Sequence, residues 1–169
     1  MTTPPPLLPA KTLFRVQRLG RLHGGCVLYV AGVFALLGAV NGDTLGAIVG
    51  LAVAGAGAIE HHGAMMLGHH DPRGLRWLVA SQLCLFAAIA VYCGIRLVHL
   101  ELPPIPAELR PMLEANAVVA GVSLEDFVAM AYRLTLKLVL ALSVLYQGWL
   151  GLYYFTKRHA IAQALDAER

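Results

Sequence analysis

Charge is what this sequence has least of. Asp, Glu, Lys and Arg make up 14% of its 169 residues, against about 25% in an ordinary soluble domain. Apolar residues make up 58%. A soluble domain of this length cannot bury so much apolar surface in one core and still cover itself with polar groups. Soluble enzymes, disordered chains and nucleic-acid modules are excluded on that ground. Cysteine is scarce too. Cys26, Cys84 and Cys93 all fall in apolar stretches and form no C-x-x-C pair. Neither a disulfide framework nor a thiol-redox site is expected from them. The chain also lacks a Walker loop, a G-x-S-x-G elbow and an H-E-x-x-H motif. Its seven histidines are too few for an eight-histidine di-iron site.

What the chain does have is long apolar runs. A helix needs about 20 mostly apolar residues to cross the hydrocarbon core. Four stretches meet that requirement, at about 22–40, 44–67, 77–97 and 134–156. No strand-like alternation recurs, which argues against a β-barrel. The expected fold is all-α: a polytopic membrane protein with four transmembrane helices and a small extracytoplasmic helical cap, about 104–133, between the third and fourth. The expected organisation has a lead at 1–21, a membrane domain at 22–156 and a cytoplasmic tail at 157–169. The first apolar stretch has too long a basic approach and no convincing cleavage site for a secretory signal.

Orientation follows from Lys and Arg. Nine fall on one side (Lys11, Arg15, Arg18, Arg21, Arg73, Arg76, Lys157, Arg158 and Arg169) and four on the other (Arg96, Arg110, Arg133 and Lys137). The first side is expected to be cytoplasmic, with both termini inside an inner (plasma) membrane. The net charge of +3 then reports topology and gives no sign of a nucleic-acid partner.

Residues 1–10 form a proline-rich lead. Beyond them, Lys11, Arg15, Arg18 and Arg21 recur at helical spacing, with Leu13, Phe14, Val16 and Leu19 between them. This pattern has two readings: an interfacial helix on anionic headgroups, or a topology signal opening a continuous first helix. In the third connection, Ser123 with Asp126 three residues on is a capping box. A helix should begin near Leu124 and can run into the fourth span. Residues 107–118 form a weaker helix, interrupted near its start by Pro111.

Small residues mark where helices can approach closely in lipid. Gly46, Gly50, Ala54 and Ala58 share an i+4 row on the second helix, with Gly55 and Gly57 beside it. Ala31, Gly32, Ala35 and Gly38 lie on the first. A tight hairpin of these two helices is expected through the Asn41–Asp43 turn. On the fourth helix Arg133, Lys137, Gln147 and Tyr154 fall within a sector of about 100°.

The densest polar cluster is Glu60-His61-His62, followed by Met65, Met66, His69, His70 and Asp71. An intramembrane carboxylate is costly, so Glu60 must be protonated, paired or wetted. Depth counting brings Tyr29, Gln82 and Gln147 to its level, with His23 and Cys26 near the entrance and Arg76 opening the third helix. The expected partners of Glu60 are Gln82, Gln147, Tyr29 or Arg76. Three readings compete. A channel-like or transport-like homo-oligomer would use a polar layer of Glu60, Gln82 and Gln147, with Lys137 and Arg133 at the outer mouth. A haem- or copper-binding electron-transfer or assembly subunit would use His23, His62, Met66 and His69, with the small residues beside His23 and His62 admitting a flat ring. A non-catalytic scaffold would hold Glu60 as a structural pair.

Overall fold

The computed structural model describes residues 9–100, 102 and 105–167. The expected proline-rich lead lies outside them, save for Pro9 and Ala10. The described residues form six helices and no strand: α1 (Pro9–Val40), α2 (Thr44–Gly68), α3 (Gly74–Val98), α4 (Arg110–Ala120), α5 (Leu124–Thr156) and α6 (Arg158–Ala167). Four of them, α1, α2, α3 and α5, are long and apolar enough to cross a membrane. Only 6% to 28% of the residues in their most apolar windows are buried by the protein itself. The remaining apolar surface is the kind that lipid covers.

The first helix is one piece. It runs 32 residues, about 48 Å at 1.5 Å per residue, with no break between its basic and apolar halves. α1 and α2 pair along their length, joined by a turn whose Gly42 has φ of +75°. Asp43 caps α2, accepting from the Gly46 amide at 2.9 Å. It also receives Arg96 from the far end of α3 at 3.1 Å, which ties α3 to the α1–α2 turn.

Glycine sets the helix spacing. A Cβ on Gly57 would lie 2.6 Å from the Leu28 amide nitrogen and 2.8 Å from the Gly24 carbonyl oxygen. A Cβ on Gly24 would meet the His61 amide nitrogen at 2.6 Å. The two backbones therefore touch at Gly24 and Gly57. Gly63 and Gly74 do the same for α2 and α3: a Cβ on Gly63 would stand 2.8 Å from the Gly74 carbonyl. Of the small residues singled out in the sequence, Gly50 meets Ala35 and Gly38 meets Ala47, whereas Gly32 and Gly55 meet nothing.

α3 packs on α2, α5 on α3, and α6 returns to α1. The main core sits where the described termini lie. It joins Leu13 and Val16 of α1, Ala64 and Leu67 of α2, Leu78 of α3, Leu150 and Tyr154 of α5, and Ile161, Ala164 and Leu165 of α6. α6 covers Leu13 and Val16, and this amphipathic helix lies within the 157–169 stretch. One sequence reading is corrected here. Pro111 does not interrupt a helix. It occupies the first turn of α4, where its missing N–H has no intrahelical acceptor to lose.

Ser123 caps α5, and its hydroxyl donates to Asp126 Oδ2 at 2.6 Å. The Ser123 side chain accepts from the Asp126 amide at 3.1 Å, and α5 runs unbroken from Leu124 to Thr156. α4 packs against α5 and buries only Ala117.

Candidate functional site

The site is built around Glu60. Its side chain is 1% exposed, because α1 comes so near to α2 at Gly24. A Cβ on Gly24 would lie 3.1 Å from the Glu60 Cβ. One residue earlier on α1, His23 is thereby brought to Glu60, and its Nδ1 stands 2.7 Å from Oε2. The other oxygen faces α5, where the Tyr154 hydroxyl donates to Oε1 at 2.7 Å. Tyr154 is fully buried, while the His23 side chain is 15% exposed. The Tyr146 ring lies 5.5 Å from that of His23. Glu60 thus joins α1, α2 and α5 and has both carboxyl oxygens satisfied.

This arrangement has a defined chemistry. A single hydrogen bond joins His23 Nδ1 to Glu60 Oε2, its direction set by the tautomer and by which group holds the proton. Of the three groups, His23 alone retains accessible surface of any size.

The partners expected for Glu60 from depth counting are not its partners. Tyr29 is 74% exposed. Arg76 is exposed at the start of α3. Gln82 and Gln147 are buried, at 2% and 8% exposure, but they sit between α3 and α5 and line a groove of about 410 Å³. Their Oε1 atoms have no hydrogen-bond partner. Gln82 Nε2 makes a long contact to Ser81 Oγ, 3.4 Å. Depth along a helix fixes a residue's level; the direction it faces depends on helix crossing, which the sequence did not supply.

Arg133 and Lys137 are exposed on α5. They stand about 32 and 26 Å along that helix from Tyr154 at 1.5 Å per residue, so they are not gathered with Glu60. The histidines also separate. His62 is exposed, with its ring edge-on to Trp77 at 6.3 Å. Met66 is half-buried, and His69 is exposed at the C-cap of α2. Helix backbone fills the space beside Gly24 and Gly63. Among the described residues no group of three or more His, Cys, Asp or Glu side chains is placed to hold a metal ion.

Lys11, Arg15, Arg18 and Arg21 are exposed on α1, off the face that packs on α6. Arg21 lies against Gly68, close enough that a Cβ there would be 2.6 Å from its guanidinium. That places a cation at the C-terminal end of α2, where the helix dipole favours one. Gln17 reinforces the same end, donating to the Leu67 carbonyl at 2.9 Å.

The sequence placed Tyr154 on the polar face of the fourth helix and His23 near the entrance without joining either to Glu60. One signal was available. Gly20 and Gly24 are a small-x-x-x-small pair beside His23, and such a pair marks close helix approach. No known family, no curated protein and no solved structure matches this chain. Four helices are long and apolar enough to cross a bilayer, which is compatible with an integral membrane protein, and three of them meet at the buried Glu60 carboxyl.

Proposed function

We propose that this chain is a transport-like protein of a bacterial-type inner membrane, with both termini cytoplasmic, whose working group is Glu60 and whose proton passes through His23. One observation carries the reading: a carboxyl with 1% exposure hydrogen-bonded to a histidine that keeps an outlet. Intramembrane carboxylates paired with histidine are the usual parts of proton relays. The basic residues Lys11, Arg15, Arg18 and Arg21 would hold anionic headgroups at the cytoplasmic face. A homo-oligomer remains part of the proposal, but Glu60 lies among helices of one chain and would not form a ring on a symmetry axis. Lys137 and Arg133 then act as anchors at the far interface instead of lining a mouth.

A second reading has its own support. Both oxygens of Glu60 are satisfied within the chain, as a structural staple requires. Proteoliposomes separate the two. Under the transport reading, wild-type protein dissipates an imposed pH gradient faster than empty liposomes do, and Glu60→Gln slows this at least tenfold while remaining folded. Wild-type vesicles indistinguishable from empty ones, under a pH gradient and an applied potential, would overturn that reading. Glu60→Gln vesicles as active as wild type would overturn it equally.

A further inference from the structure

The groove between α3 and α5 is independent of the Glu60 cluster and has unmet requirements of its own. Gln82 and Gln147 face it from opposite helices, both more than nine-tenths buried. The Oε1 of each has no partner and is closed off from the groove's open space, so an outside donor reaches it only when the amide turns. Buried carbonyl oxygens nearly always accept a hydrogen bond, so two orphans on one groove call for donors from outside the chain. Apart from these amides the lining is apolar, with Val79, Leu83, Phe86 and Phe155 among it. The volume of about 410 Å³ lies in the range of small-molecule sites.

Depth narrows the occupant. Gln82 lies about 12 Å along α3 from Gly74, and Gln147 about 14 Å from the end of α5 at Thr156. Lipid headgroups stay in the interfacial layer outside the hydrocarbon core, so they do not reach this level. A phospholipid acyl chain does reach it but has no N–H or O–H to give. No charged residue lines the groove, which disfavours an ion. We infer that the α3–α5 groove binds a neutral lipophilic molecule bearing hydroxyl donors, of the phenol or hydroquinone class, which donates to the carbonyl oxygens of Gln82 and Gln147.

The test compares two probes that share a ring and tail and differ in their O–H donors. Decylhydroquinone has two O–H donors; its dimethyl ether has none. Each is titrated calorimetrically into the full chain in nanodiscs. The hydroquinone should bind at least tenfold more tightly. Gln82→Leu with Gln147→Leu should abolish that preference. Gly148→Phe should block both probes without touching either amide, since Gly148 lines the groove and a Cβ there meets nothing within 4 Å. Thermal melting checks that each variant is folded; if the double leucine variant is not, the single Gln82→Met and Gln147→Met variants replace it. Equal affinity of the two probes overturns the inference, and so does no binding of either. A preference that survives in folded glutamine variants overturns it as well. So does a dimer in wild type that the Gly148→Phe variant dissociates, because the groove would then belong to a second copy.

Discussion

Tyr154→Phe is the sharpest probe of the buried cluster. It removes one oxygen atom from a residue that is fully buried and leaves the ring packed in the core with Leu150 and Leu78. No cavity of note opens, so the cost isolates the 2.7 Å hydrogen bond to Glu60. The size of that cost depends on the proton. A hydrogen bond to a charged group contributes about 1.5–3 kcal/mol. A neutral interhelical hydrogen bond in a membrane protein averages about 0.6 kcal/mol. A loss above about 1.5 kcal/mol in reversible unfolding from bicelles therefore reports a carboxylate at Glu60. A loss near 0.6 kcal/mol reports the protonated acid. Repeating the change in a Glu60→Gln background gives the coupling energy: about 1 kcal/mol or more if Glu60 is charged, near zero if it is not. A Tyr154→Phe protein as stable as wild type would refute the reasoning, because the hydroxyl would then have no partner in the membrane.

Three further outcomes follow from the packing. Gly57→Leu should cost more than 3 kcal/mol or prevent folding, because its Cβ would lie 2.6 Å from the Leu28 backbone; Gly55→Leu, with nothing within 4 Å, should melt within about 1 kcal/mol of wild type. Ile161→Ala should cost about 2–4 kcal/mol, since Ile161 is 2% exposed in the α6–α1 contact, and limited proteolysis should then cut α6 first. Asp43→Asn should keep the α2 cap and lose only the Arg96 pair, for about 1 kcal/mol or less, whereas Asp43→Ala should lose both and melt lower than the asparagine variant.

Much of the local structure can be read from the chain. Ser123 with Asp126 fixes the start of α5, because a side-chain cap depends only on residues three apart. The short turn at Asn41–Asp43 and the small residues on both flanks are enough to join α1 and α2 as a hairpin. The same logic fails for α6. Its ten residues (Arg158–Ala167) form too short a helix to be stable alone, and what holds Ile161, Ala164 and Leu165 is the extension of α1. Pro111 is compatible with α4 because the helix starts at Arg110 and not at residue 107; a proline in the first turn starts a helix, and one further in breaks it.

By itself the sequence determined the environment of this protein and the level of each polar group within it. Those are properties of single segments: how many apolar residues follow one another, and how far along a helix a residue sits. Which groups met was decided by the tertiary structure alone. Glu60 pairs with His23 and Tyr154 instead of Gln82, Gln147, Tyr29 or Arg76 because Gly24 and Gly57 let two backbones touch, and that contact sets the rotation of each helix about its axis. The same crossings leave Gln82 and Gln147 facing a groove without partners. A rotation of a few tens of degrees would exchange these outcomes while leaving every hydrophobic run in the sequence unchanged.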